Sequence, residues 1–207
     1  MKRRLFILAA FAALSSGASA SPVLFDFDSS PKYTPLPIEV TVGGITAHLS
    51  ATGEGFSVQA ADTLGFTPAG FGGNCIYPSS VFQADLIISF STQLSDFSIM
   101  FSTEEYGSDS AATMRATGFR NGVNVGTNTA MAPNPGTWPV GTLTLSSATA
   151  FDKVVVHYDK PPVNGENWGP VFLADNMTVT AVPEPASLAV LAIGLAALIH
   201  LRRSHHS

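Results

Sequence analysis

The sequence predicts an all-β fold, an antiparallel two-sheet β-sandwich flanked by an N-terminal signal peptide and a C-terminal single transmembrane helix. Three observations carry that prediction. Between Ser21 and Ala181, aromatic and β-branched residues alternate with polar ones in short period-two runs, the mark of half-buried strands. Gly, Pro, Asn and Ser separate those runs, and no segment there has an amphipathic helical period. Both chain ends break the pattern, each joining an apolar run to basic residues.

Lys2, Arg3 and Arg4 precede the ten-residue apolar run Leu5–Leu14. Ser15–Ala20 then closes on Ala18-Ser19-Ala20, the small-x-small pattern that signal peptidase accepts. A run of that length spans about half of a bilayer core, which needs about 20 residues. Residues 1–20 therefore read as a secretory signal, with Ser21 as the mature N-terminus and signal peptidase as the first partner.

Strands follow at Val23–Phe27, Ile38–Val42 and Ile45–Ser50, with Gly43-Gly44 as a tight turn between the last two. Further alternating runs are Asp85–Ser91, Asp96–Ser102, Thr113–Phe119, Val123–Thr127, Thr142–Ser146, Phe151–Tyr158 and Met177–Val182. Asn121-Gly122 suits a type I′ hairpin turn, because both residues tolerate positive φ and the twist matches the flanking strands. Strands without crossover helices pair antiparallel and close as a sandwich or barrel. A two-sheet jelly roll is the preferred form. About 160 residues bury a substantial core, and the 14 Phe of the chain can fill it.

Ala61–Ser80 and Asp159–Pro170 are rich in Gly and Pro and read as long surface loops, which in compact domains are often functional. Phe66, Phe71 and Tyr77 in the first, and Trp168 in the second, would offer ring faces to the apolar side of a pyranose. The alternative is that these rings cap the open end of the sandwich.

The chain carries 10 basic and 15 acidic residues, a formal charge of −5. Every acid lies between Asp26 and Glu184, while half of the bases lie in the terminal segments, so Ser21–Pro185 sets 5 bases against 15 acids, or −10. Such a body lacks the basic stripe that nucleic acid demands. It suits neutral glycans, divalent cations or plain solubility outside the cell. The single cysteine, Cys75, cannot form an internal bridge and reads as a small buried apolar residue, with pairing to a second molecule as the alternative. His48 and His157 stand singly in strands and make no zinc site.

No G-x-S-x-G elbow, H-E-x-x-H pair or phosphate-binding Gly loop occurs. Glu104 and Glu105 are adjacent, and strand neighbours point to opposite faces. They cannot by themselves form the facing carboxylates, about 5–9 Å apart, of a glycosidase. With Asp109 they read as an acidic turn able to hold Ca²⁺, which takes carboxylate and carbonyl oxygens. A second calcium candidate joins Asp175 and Asn176 to Asp26 or Asp28, on condition that the chain ends are neighbours in space. No other cofactor and no enzymatic activity is expected.

Ala186–Leu201 holds sixteen residues, of which only Ser187 and His200 are polar. As a helix it would span about 24 Å against a hydrocarbon core of about 30 Å. Snorkelling Arg202 and Arg203 and local thinning can close that gap. Pro183 and Pro185 hold the preceding segment extended. The order Val182-Pro183-Glu184-Pro185-Ala186-Ser187, short apolar helix, Arg202-Arg203 resembles the PEP-CTERM sorting signal. His200 and the final Ser204–Ser207 are small departures from it.

That resemblance implies a protein exported by a Gram-negative bacterium that makes exopolysaccharide. It also implies recognition by exosortase, a membrane-embedded protease that cuts near Pro183-Glu184-Pro185. Gly118–Thr127 and Ala174–Pro185 are similar to the jelly-roll domains common in such proteins. Three segments are thus expected: signal peptide 1–20, β-sandwich 21–181 and sorting signal 182–207. The expected protein is held transiently in the inner membrane. It then works at the cell surface, in the outer envelope or in an extracellular biofilm matrix, as a structural, adhesive or glycan-binding component. The alternatives are a secreted carbohydrate-active enzyme on the same scaffold and a permanently anchored single-pass surface protein.

Overall fold

A computed structural model describes residues 20–63, 65–106, 112–132, 138–161 and 166–183, with the backbone alone at 105–106 and 166–168. Ala18, Asp109, Glu184, Pro185, Arg202, Arg203 and the expected apolar span 186–201 lie outside the described residues. Among the described residues no helix is long and apolar enough to cross a membrane. The strands all belong to the unit Ser21–Val182; the terminal unit, Met1–Ala20 with Pro183–Ser207, is described only at Ala20 and Pro183.

The described residues form ten strands and no helix: β1 Val23–Phe25, β2 Ile38–Val42, β3 Ile45–Ala51, β4 Phe56–Ala60, β5 Asn74–Pro78, β6 Leu86–Tyr106, β7 Thr113–Arg120, β8 Val123–Met131, β9 Val140–Lys160 and β10 Glu166–Ala181. Every pairing between them is antiparallel. The hydrogen-bonded path runs β4-β5-β10-β6-β9-β7-β8, with β1 on β10 and β2-β3 on β6.

Two long strands turn this path into a sandwich. The first part of β6, Leu86–Phe90, pairs with β3 and with Lys153–Val156 of β9. Its later part, Asp96–Ser102, pairs with Val140–Ser146 of β9 and with β10. Register shifts between Ser89 and Asp96 mark the change of layer. Bulges bend and twist a strand in this way. One layer is therefore β2-β3-β6-β9-β7-β8, and the other is β4-β5-β10-β6-β9 with β1.

Inward residues of both layers form one core. Six phenylalanines, Phe25, Phe27, Phe97, Phe101, Phe151 and Phe172, are fully buried in it. Burial of each contributes about 2–3 kcal/mol. Phe90 and Phe97 meet edge-on at 6.4 Å across the bend in β6. Gly118 of β7 faces the other layer so closely that a Cβ there would lie 2.7 Å from Leu145.

Several expectations are corrected. The expected loop Ala61–Ser80 contains β5, whose five residues are all buried, so period two never shows. The expected loop Asp159–Pro170 is shortened from both sides by β9 and β10. β1 stops at Phe25 because Phe27 takes φ 58°. The acidic turn expected at Glu104-Glu105 is strand, since β6 continues to Tyr106. The expected hairpin turns are present: Asn121-Gly122 at φ 50° and 79°, and Gly43-Gly44 at 57° and 81°.

Candidate functional site

β1 pairs with β10, Phe25 opposite Met177, which brings the first acidic residues of the domain beside the last. Phe27 is buried in the left-handed region, and Asp26 and Asp28 on either side of it line an open concavity of about 210 Å³. Asp175, Asn176 and the backbone of Gly70–Gly73 complete its wall. The β10 wall exists because of a bulge. Asn176 takes φ 48° and the register with β6 shifts between Asp175 and Thr178. The bulge lets Ala174 and Met177 both face the core while Asp175, itself buried, turns to the opposite face and lines the concavity.

Backbone amides hold the carboxylates in place. Asp175 accepts the N–H of Asn176 on Oδ1 at 2.7 Å and that of Gly72 on Oδ2 at 3.3 Å. Asp28 accepts the Asn74 N–H at 2.7 Å, and Asp26 accepts the N–H of Asp28 at 3.2 Å. Asn74 ties the loop down by donating its Nδ2 to the carbonyls of Asp28 and Ser30, while its own Oδ1 is buried with no hydrogen-bond partner among the described residues. Asn176 donates its Nδ2 to the Gly70 carbonyl at 3.1 Å. Burial pushes the Asp175 carboxyl up to about 6, with the charges of Asp28 and Asp26 adding to it and the two amides opposing it. Among the described residues no Lys or Arg lines the concavity. A second basin of about 320 Å³, lined by Lys32, Ala60–Asp62 and Thr67, shares Gly72 and Gly73 with the first.

The donor set is hard oxygen, the chemistry calcium selects. Asp26, Asp28 and Asp175 surround the concavity without converging: among the described residues no three His, Cys, Asp or Glu side chains gather tightly enough to hold one ion as they stand. Backbone carbonyls and water would have to supply the remaining ligands.

Other expected site residues are placed differently. Glu104 is 7 % exposed on β6 and hydrogen-bonds Tyr77; the expected calcium partner Asp109 lies outside the described residues. Burial pushes its carboxyl up, the Tyr77 hydroxyl opposing. Phe71 and Tyr77 are buried in a small apolar cluster with Ala61, Cys75 and Leu173, covered by Met100, Trp138 and Val140. Both are largely covered, and Tyr77 lines a small apolar pocket with Phe66, Pro68 and Trp138. Trp168 falls on the backbone-only part of β10. Phe66, also among the expected loop aromatics, is exposed, as are Tyr33 and Phe82. Sequence reasoning missed Trp138 and the Gly70–Gly73 wall; the run Gly72-Gly73-Asn74 was the available signal for a close backbone approach.

His157 hydrogen-bonds Asp85 through Nδ1 at 2.6 Å, and His48 faces Glu39 at 3.5 Å, each a separate pair on the sheet. Ser21 lies two residues before β1, and Pro183 emerges exposed two residues after β10.

The profile of the PEP-CTERM protein-sorting motif matches residues 181–204. The chain carries a PEP-CTERM sorting signal. That signal marks an exported protein, held in the membrane before exosortase acts on it. No curated protein matches the chain in sequence. Among solved structures, the chain is similar to a cleaved adhesin domain of Lys-gingipain: 16 % identity, 77 % of this chain and 99 % of that one, TM-score 0.44. It is also similar to a family 35 carbohydrate-binding module from Clostridium thermocellum: 14 % identity, 79 % of this chain and 100 % of that one, TM-score 0.36.

Proposed function

We propose that this PEP-CTERM protein is a non-catalytic, jelly-roll-like binding domain of the cell surface or biofilm matrix. In this reading its acidic cleft binds calcium, and the loops around the cleft contact exopolysaccharide or another glycan. The observation that carries the reading is the grouping of Asp26, Asp28 and Asp175 on one open concavity, with no lining Lys or Arg among the described residues. Three carboxylates sharing a site repel one another, and a divalent ion relieves that repulsion. When bound, calcium would supply positive charge and a coordination point for sugar hydroxyls. The chain's own residues set the site: Gly72 and Asn176 orient Asp175, and Asn74 orients Asp28. Exposed Phe66 and Tyr33, with the polar basin at Lys32 and Asp62, are available for sugar contact.

Calorimetric titration of the EGTA-stripped exported protein with calcium should give heat and raise Tm. Retention on the host's exopolysaccharide should then require calcium. No heat and an unchanged Tm would end the calcium reading. Turnover of any member of a polysaccharide panel, lost on replacing Glu104 or Asp175, would install the enzyme in its place. Exosortase removes the tail in this reading, so the intact mass of the exported protein should end near Pro185. A mass running to Ser207 would leave a permanently anchored protein.

A further inference from the structure

One segment has the acidic cleft on one side and a buried thiol on the other. Residues 65–73 form a strap over β5 and β10, joining no β-ladder themselves. Beneath the strap, Phe71 packs on Cys75, Tyr77 and Leu173, and Cys75 is fully buried. Further along, Phe66 and Pro68 border the small apolar pocket of Tyr77 and Trp138. On the other side, the Gly70–Gly73 backbone is a wall of the concavity.

The cleft's own residues fasten that wall. Gly72 donates its N–H to Asp175 at 3.3 Å, and Asn176 donates its Nδ2 to the Gly70 carbonyl at 3.1 Å. Immediately after the strap, Asn74 donates its N–H to Asp28 at 2.7 Å. A carboxylate offers about four lone-pair positions, so one group can hold an amide and a cation together. Without a cation, the mutual repulsion of Asp26, Asp28 and Asp175 acts directly on these fastenings.

We propose that a divalent cation in the cleft latches the strap: it draws Asp28 and Asp175 together about the end of residues 65–73 and so closes the cover over Cys75. The latch rests on the calcium reading of the cleft and adds to it the element that responds. Latching also fixes Phe66, the exposed ring on the strap. A segment outside the β-ladders opens more readily than the sheets beneath it, so the cation acts on the strap first.

The test is hydrogen exchange, read by mass spectrometry, on the EGTA-stripped exported protein. It is run without calcium and with calcium at about 100 times the dissociation constant found by calorimetry. Peptides covering 65–73 should exchange about 100-fold more slowly with calcium, because opening then requires release of the ion. The peptide over the Asn121-Gly122 turn, in the other layer, should keep its rate. Labelling of Cys75 by a thiol-specific disulfide reagent should slow by the same factor as the strap. Heat on adding calcium with unchanged exchange over 65–73 overturns the latch and leaves the cleft as a plain calcium site. Equal slowing at the Asn121-Gly122 turn, or an unchanged rate at Cys75, overturns the latch as well. Absence of heat overturns the calcium reading and the latch together.

Discussion

Gly73 leaves the space that the carboxylate of Asp28 occupies: a side chain at Gly73 would overlap the Oδ1 that accepts the Asn74 N–H at 2.7 Å. Gly73 also holds φ 50°, in a region that costs other residues about 1 kcal/mol. Gly73→Ala should therefore lose both a backbone preference and the Asp28–Asn74 hydrogen bond, about 2–3 kcal/mol in all. Gly44→Ala, at φ 81° but facing open space, should lose only about 1 kcal/mol. Denaturant midpoints of the two variants check this. Equal losses would mean that the Asp28 contact contributes nothing.

Asp175 makes stability fall as pH rises. Its carboxyl is pushed up to about 6 in the fold by burial, from about 3.9 in an unfolded chain. A carboxyl raised in this way favours the folded state while it is protonated. Its share is whole below about pH 4 and is lost as pH climbs through about 6, at most about 3 kcal/mol. Glu104, also raised by burial, acts in the same direction. Asp96 is held below its usual range by the hydroxyls of Ser146 and Ser95, so its share has the opposite sign and disappears only in more acid solution. Thermal melts between pH 4 and 8 should show Tm declining toward neutrality. Asp175→Asn should flatten that decline, and saturating calcium should flatten it in wild type. A Tm that rises steadily from pH 4 to 7 would contradict the burial of Asp175.

Tyr77 and Glu104 depend on each other. Glu104 is buried with the Tyr77 hydroxyl as partner, and Tyr77 is itself pushed up by burial and then by the Glu104 charge. Tyr77→Phe strands the carboxylate and should cost about 1–3 kcal/mol. Glu104→Gln keeps a hydrogen-bonding group there and should cost less. The double variant Tyr77→Phe with Glu104→Leu should recover part of the loss, because a buried polar pair can be exchanged for apolar groups at little expense. Urea denaturation of the three variants provides the comparison.

The sequence made the strands legible wherever one face was buried and the other wet, as in β7, where buried and part-buried residues alternate from Thr113 to Gly118. It failed where both faces were covered. β5 has no alternation because the core lies on one side and the Phe71 cluster on the other. β6 and β9 each looked like two strands because the bulges between Ser89 and Asp96 break the period while the chain runs on. The link between Asp175 and Asp26 or Asp28 was legible only as a condition, that the chain ends meet, since no local pattern encodes the pairing of Val23 with Val179. The Tyr77–Glu104 contact joins strands far apart in the chain, and neither residue type announces a partner.

Cys75 should be silent until the domain opens. It is fully buried, and burial followed by the charge of Asp175 pushes its thiol up to about 12. The thiolate is the reacting species, so at pH 8 it is both rare and covered. A thiol-specific disulfide reagent should leave the native protein unmodified over a period in which the urea-unfolded chain reacts completely. The same burial opposes a covalent dimer through Cys75, so non-reducing electrophoresis of the exported protein should show a monomer. Cys75→Ser places a hydroxyl where the apolar cluster offers little compensation and should destabilise by about 1–3 kcal/mol. Cys75→Ala should cost less, because it removes volume without burying a donor. Full labelling of the native protein at pH 8 would show that the loop over Cys75 opens far more readily than its packing against Phe71 and Tyr77 implies.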